Sequence, residues 1–113
     1  MRIEIPYPPQ ANHAYTVARG RKILSAKGRA YKADVAKRCL IARIKPLEGD
    51  LSVTLWVYRP RKAGDLDNTM KLPLDAIKGF AYHDDKQIVE LHAYRRDDKE
   101  NPRIEVMVNP VIE

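Results

Sequence analysis

The sequence predicts an α+β domain in which a small mixed sheet of about four strands carries two helices. Alternating apolar segments lie near both ends of the chain and at its centre, and two helical segments separate them. The predicted order is β-α-β-α-β-β, with both helices packed on one sheet. At 113 residues, the chain is expected to form one domain over residues 1–113.

The N-terminal part predicts a strand, an irregular loop and a hairpin arm. Residues 2–7 alternate polar and apolar side chains, which is typical of a strand. Prolines end this strand and begin a loop through residues 12–13. The basic segment 15–24 contains Gly20 and is expected to form a short hairpin.

A long basic helix should follow the hairpin. Ser25 is a suitable N-cap, and the helical pattern continues to about Ile44. The apolar stripe of this helix is predicted to contain Ala30, Val35, Ala36, Cys39 and Leu40.

The C-terminal half predicts three strands and a short helix. Residues 51–58 alternate strongly and indicate a strand. A helix is expected from residue 66 or 67 to Ile77, closing at Lys78-Gly79. Residues 87–94 and 103–108 are the last two strands, and the charged segment between them is expected to join them as a hairpin.

Several classes of protein are disfavoured by composition. Cys39 has no partner for an internal disulfide, which fits a reducing compartment, and three scattered histidines give no zinc-site spacing. The sequence shows no long apolar run and no signal peptide. We therefore expect a soluble cytoplasmic protein with no membrane partner.

The charge distribution indicates a polyanionic partner. The net charge is +6, but residues 19–45 alone carry +9, so the remainder sums to −3. A solvated helix face is the simpler explanation of a charge run. Here the imbalance is too one-sided for pairing along a helix to neutralise it, and contact with nucleic acid is favoured.

Two acidic pairs stand out in this basic chain, at Asp65/Asp67 and at Asp84/Asp85. Two close carboxylates repel by roughly 4 kcal/mol at an effective dielectric near 20, so such pairs commonly hold a hard divalent cation. Each pair also has an ordinary explanation, as a helix N-cap with a spare acid or as an acidic turn.

Lys71 and Asp75 follow Asp67 at helical spacing. One explanation is a series of salt bridges along the helix. The other is that Lys71 is held beside a metal site, where it stabilises charge on a phosphate.

Together these motifs resemble the RusA family of Holliday-junction resolvases. The resemblance rests on a basic stretch, then Asp65-Leu-Asp67-Asn68, a lysine on the next turn, Asp75-Ala, Gly79-Phe and Asp84-Asp85-Lys-Gln87. Pro8-Pro9-x-x-Asn12 and Ser25-x-x-Gly28-x-x-Tyr31 are also similar to the family, so the resemblance covers nearly the whole chain.

The resemblance implies a RusA-like fold and a homodimeric, Mg²⁺-dependent endonuclease that cuts four-way DNA junctions symmetrically, with Mn²⁺ as a possible substitute. It assigns metal-binding catalytic carboxylates to Asp65, Asp67 and Asp85, and the essential positive charge to Lys71. Supporting positions around them are Asn68, Asp75 and Asp84.

The predicted DNA contacts are basic residues of the hairpin, the first helix and the connector before the acidic motif. They are Arg19, Arg21, Lys22, Lys27, Arg29, Arg59, Arg61 and Lys62.

Two alternatives to a junction resolvase remain at this point: a metal-dependent nuclease acting on other branched DNA, and a non-catalytic DNA-binding module. One local conflict also remains, because Pro73 lies inside the predicted second helix. Proline in a helix interior removes a backbone donor, so this helix must begin late or kink.

Overall fold

The computed structural model describes residues 1–62 and 64–112, except for the side chains of residues 11 and 12. Its regular elements include two single turns of 3-10 helix, at Asp67–Thr69 and Asp85–Gln87. The strands and α-helices are β1 (Arg2–Pro6), α1 (Ala11–Ala14), β2 (Tyr15–Ala18), β3 (Arg21–Leu24), α2 (Ala26–Ile41), β4 (Leu51–Arg59), α3 (Lys71–Ile77), β5 (Ile88–Asp97) and β6 (Arg103–Pro110).

The main sheet has four strands in the order β1-β6-β4-β5, which confirms the predicted α+β class. β5 is parallel to β4, while the other neighbouring strands pair antiparallel. β2 and β3 form a separate antiparallel hairpin, as expected. Its turn is made by Arg19 and Gly20, which both have positive φ angles.

The predicted hairpin between the last two strands is wrong, because β4 lies between β5 and β6. β4 buries Leu51, Val53, Leu55 and Val57 completely or almost completely, whereas most side chains of β5 are exposed. The strand with the fully apolar face therefore takes a central position, and β5 takes the edge. A parallel pair needs a crossover connection, and α3 lies in the crossover from β4 to β5.

The core lies between the helices and one face of the sheet. Strands β1, β4 and β6 bury alternate residues, and α2 buries Tyr31, Val35 and Cys39 against them. Helix α3 adds Leu72, Ala76 and Ile77. None of the helices in the described parts of the chain is long and apolar enough to cross a membrane.

Helix α2 begins where the sequence predicts and ends earlier. The Ser25 side chain accepts a hydrogen bond from the Gly28 amide at 3.1 Å. The helix stops at Ile41 rather than near Ile44, because Arg43 adopts a φ of 56° and closes a Schellman motif. The predicted apolar stripe is also partly wrong, since Leu40 is 69% exposed and Ala30 is exposed.

The predicted loop through residues 12–13 contains one turn of helix, α1. The carbonyl of Gln10 accepts hydrogen bonds from the amides of His13 and Ala14, which closes this turn. Helix α2 packs tightly behind it, since a Cβ atom on Gly28 would lie 2.3 Å from the Ala14 carbonyl oxygen. This approach fixes the chain immediately before the β2–β3 hairpin.

Candidate active site

One depression on the surface gathers most of the residues assigned to catalysis. It has a volume of about 440 Å³, and its charged wall consists of Asp67, Lys71, Asp75 and Asp85. The remaining wall is apolar, with Met70, Leu74, Ile88 and Leu91. We call this feature the acidic depression.

The first side of the acidic depression comes from a helix that begins later than predicted. Residues 67–69 form a 3-10 turn, and α3 starts at Lys71 rather than at residue 66 or 67. Pro73 is consequently the third helical residue. The first four amides of a helix have no partner within it, so proline costs no hydrogen bond there. Asp67 and Lys71 therefore do not share one α-helix, although both line the depression.

The end of α3 is anchored by Tyr82, whose side chain is fully buried. The Tyr82 hydroxyl donates a hydrogen bond to the Leu74 carbonyl at 2.5 Å, and the Tyr82 carbonyl accepts one from the Gly79 amide at 2.7 Å. Burial, followed by the charges of Asp85 and Asp75, raises the pKa of Tyr82. The hydroxyl therefore stays protonated and remains a donor.

The second side of the acidic depression is the turn that carries Asp85. Asp84 and Gln87 form a capping box around it: Asp84 accepts from the Lys86 amide, and Gln87 accepts from the Asp84 amide. The hydrogen bond from the Lys86 amide is the main reason that the pKa of Asp84 is lowered.

Gln87 also joins this turn to the loop before β4. Its Oε1 atom accepts from the His83 amide at 2.7 Å. Its Nε2 atom donates to the carbonyls of Leu47 and Gly49, at 2.8 and 2.9 Å. His83 reaches the same loop through a 2.8 Å contact between Nε2 and Glu48.

The carboxylates of the acidic depression have different partners. Asp85 lies 3.6 Å from the ammonium of Lys78, and Asp75 accepts a 3.2 Å hydrogen bond from the hydroxyl of Tyr15. Burial and the neighbouring Asp75 raise the pKa of Tyr15 to about 12.

Asp65 lies outside the acidic depression. Together with Asn68 it borders a neighbouring depression of about 820 Å³, which Tyr7, Pro8 and His13 also line. The structure thus brings Asp67, Lys71 and Asp85 together with Asp75 in one depression, whereas Asp65 and Asn68 line the other.

Seven of the eight residues assigned to DNA contacts are exposed, and the exception is Arg59. Among the exposed ones, Lys22 lies over the ring of Tyr15, and Arg29 donates a hydrogen bond to the Leu24 carbonyl. Arg19, Arg21 and Lys22 project from the hairpin, and all three are exposed. The remaining exposed members are Lys27, Arg29, Arg61 and Lys62.

Arg59 is the member already engaged in an ion pair. Its side chain is only 12% exposed and pairs with Asp97. Hydrogen bonding to Arg59 is the main cause that lowers the pKa of Asp97.

The donor chemistry of the acidic depression fits a hard divalent cation. It offers the carboxylate oxygens of three aspartates, and its lining includes no cysteine or histidine. Within residues 1–62 and 64–112, no three His, Cys, Asp or Glu side chains are placed so that together they could hold a metal ion. Mg²⁺ needs only one or two protein carboxylates, because waters and substrate phosphates complete its coordination.

Comparison with known proteins identifies the family. The family model for endodeoxyribonuclease RusA matches residues 6–109. The crossover junction endodeoxyribonuclease RusA of Escherichia coli K12 is 31% identical over 109 residues, covering 94% of this chain and 91% of the relative. The protein of the same name from Enterobacteria phage 82 is 31% identical over 112 residues, with the same coverage.

The chain belongs to the RusA family. The resemblance drawn from its acidic and basic motifs is therefore confirmed.

Two contributors to this RusA-family site were not identified from the sequence. The Asp84-x-x-Gln87 spacing is a recognisable capping box and could have been found. Tyr15 gives no such signal, because it lies 60 residues from Asp75 and no local pattern connects them.

Replacing Gln87 by Glu should destabilise the fold by about 1–3 kcal/mol. The change keeps the shape and the accepting oxygen, but it removes both donors and sets a carboxylate against the carbonyls of Leu47 and Gly49. Urea denaturation measures the loss. Gln10→Glu is the matched control, because Gln10 is exposed. Equal stability of the two variants would contradict the anchoring role.

Proposed function

We propose that this RusA-family protein is a Mg²⁺-dependent endonuclease that resolves four-way DNA junctions in recombination and repair. The supporting observation is the acidic depression, in which Asp67, Lys71 and Asp85 lie together on a protein of net charge +6. The reaction is hydrolysis of one phosphodiester in each of two opposed strands.

The carboxylates of Asp67 and Asp85 would hold the cation from the segments before and after α3. When bound, Mg²⁺ activates a water molecule and offsets charge on the scissile phosphate. Lys71 lies on the same wall, and its ammonium would stabilise the charge that develops on the phosphate oxygens. Cys39 is fully buried in α2, so it is not available as a nucleophile.

Asp65 keeps its proposed role as a further metal-binding carboxylate. It is exposed and separated from Asp67 only by Leu66. It would act from the neighbouring depression, with Asn68 beside it. Asp84 would contribute indirectly, because it caps the turn that carries Asp85.

The DNA backbone would be held mainly by the β2–β3 hairpin and the start of α2. A two-stranded ribbon has dimensions that fit the major groove, and the exposed cations of this ribbon can reach phosphates on either side. Lys27, Arg29, Arg61 and Lys62 are further exposed cations that would contact phosphates, while Arg59 would first have to release Asp97.

A homodimer would supply the two active sites that symmetric cutting requires. The open edge of the sheet supports this proposal, because β5 is the edge strand and exposes Val89 and Tyr94 by 51% and 44%. A second copy would cover this strand edge and the apolar side chains beside it.

Replacing Asp67 by Asn should reduce Mg²⁺-dependent cleavage of a four-way junction by more than about 100-fold. Losing a residue that only supports a metal ligand typically costs up to about 100-fold, and Asp67 is proposed as a ligand itself. Junction binding should be preserved or tighter, since a metal ligand and a repulsive charge are removed together. Single-turnover cleavage and a binding titration separate the two effects.

Asp34→Asn provides the control for charge, because it removes a carboxylate that forms an exposed pair with Arg38. Cleavage by Asp67→Asn at the rate of this control would contradict the assignment of Asp67.

Replacing Arg19, Arg21 and Lys22 together by Ala should weaken binding and flatten its dependence on salt. The slope of log K against log[salt] should fall by roughly 0.9 for each lost phosphate contact. The control is the triple variant of Lys37, Arg43 and Lys45, which are exposed towards and beyond the other end of α2. Equal slopes for the two triple variants would exclude the hairpin from the interface.

A further inference from the structure

Tyr15 connects two parts of the molecule that are far apart in sequence. It begins β2 at the base of the hairpin, and its hydroxyl donates to Oδ2 of Asp75 across 3.2 Å and 60 residues. Within the described residues, the Asp75 carboxylate makes no other hydrogen bond. Asp75 in turn lines the acidic depression with Asp67 and Asp85.

The ring of Tyr15 carries a second contact. The ammonium of Lys22 lies 4.9 Å from the centre of this ring. The strand register explains the contact, because Tyr15 pairs with Leu24 and Val17 pairs with Lys22. Side chains two residues apart on a strand share a face, so Tyr15 and Lys22 lie on the same side of the ribbon.

We propose that Tyr15 is a positioning residue that couples DNA contact at the hairpin to the acidic depression, by holding Asp75 with its hydroxyl and Lys22 with its ring. The proposal rests on the function proposed above. A phosphate bound by the hairpin would fix the ribbon on the body of the protein, and Tyr15 would then fix the orientation of the Asp75 carboxylate.

The chemistry of the pair suits this role. A neutral hydroxyl can restrain one oxygen of Asp75 without adding charge beside Asp67 and Asp85. Because burial keeps Tyr15 protonated far above neutral pH, the hydroxyl is a permanent donor. The tyrosine therefore sets the direction of a carboxylate and does not itself exchange a proton with the substrate.

The test is Tyr15→Phe, which keeps the ring under Lys22 and removes only the hydroxyl. At saturating junction, the single-turnover rate constant should fall about tenfold, the lower range for losing a partner of an active-site group. The dissociation constant, measured with Ca²⁺ in place of Mg²⁺, should stay within about twofold, since the cationic contacts are intact. An unchanged rate, or a loss confined to binding, would overturn the proposal.

Tyr31→Phe is the matched control. It also removes a tyrosine hydroxyl that donates to the protein, in this case to the carbonyl of Pro6 at 2.7 Å. It should leave the saturated rate unchanged, whatever it does to stability. An equal fall in both variants would overturn a specific role for Tyr15.

A double-mutant cycle asks whether Tyr15 acts through Asp75. In an Asp75→Ala background, Tyr15→Phe should have no further effect on the rate, because the hydroxyl has lost its partner. Equal rate losses in the two backgrounds would overturn the coupling.

Hydrogen exchange of the free protein gives a readout that needs no cleavage. Tyr15→Phe should speed exchange of the hairpin amides at residues 15–18 and 21–24, while exchange in α2 stays unchanged. A hairpin with unchanged protection would overturn the connection. A wild-type protein that cuts no junction would overturn the proposed function, whereas a cutting wild type with an unaffected Tyr15→Phe overturns only the role of Tyr15.

Discussion

The candidate site depends on one partly buried hydrogen bond, between the hydroxyl of Tyr82 and the carbonyl of Leu74. Because α3 ends at Ile77, the carbonyls of its last turn lack helical partners, and a buried unpaired carbonyl would cost about 1–3 kcal/mol. Tyr82 supplies the missing donor from within the core. It thereby fixes α3, with Lys71 and Asp75, relative to the turn that carries Asp85 only three residues after Tyr82. The rest of the site is arranged around this joint.

The charge distribution of the protein has to meet two opposed requirements, namely carboxylates at the candidate site and attraction of a polyanion. In the proposed function, DNA approaches a surface that carries Asp67, Asp75 and Asp85, and these carboxylates repel one another and the phosphates. Three aspartates share one depression, and in the proposed function the basic hairpin and α2 would supply the long-range attraction. Tyr15 joins the two regions physically, because its hydroxyl donates a hydrogen bond from the hairpin, the proposed DNA contact, to Asp75 of the depression.

Local patterns made much of the fold predictable. The alternation in β4, the Ser25 cap and the Gly20 turn are decided by neighbouring residues, and the structure confirms them. The start of α3 could not be read in the same way, because Pro73 is harmless in a first turn and disruptive in an interior. The order of the strands could not be predicted from local patterns either, because it depends on which strand buries one whole face against the helices.

The candidate site was also predictable only in part. The acidic motif predicted that Asp67, Lys71 and Asp85 act together, whereas the position of Asp65 in another depression and the hydrogen bond from Tyr15 depend on tertiary structure.

The most direct measurement is cleavage of a synthetic four-way junction by the purified protein, beside a linear duplex and a fork of the same sequence, with and without Mg²⁺. We expect paired nicks in opposed strands of the junction, only when Mg²⁺ is present. Absence of Mg²⁺-dependent nicking, or equal cutting of the linear duplex and the fork, would contradict it.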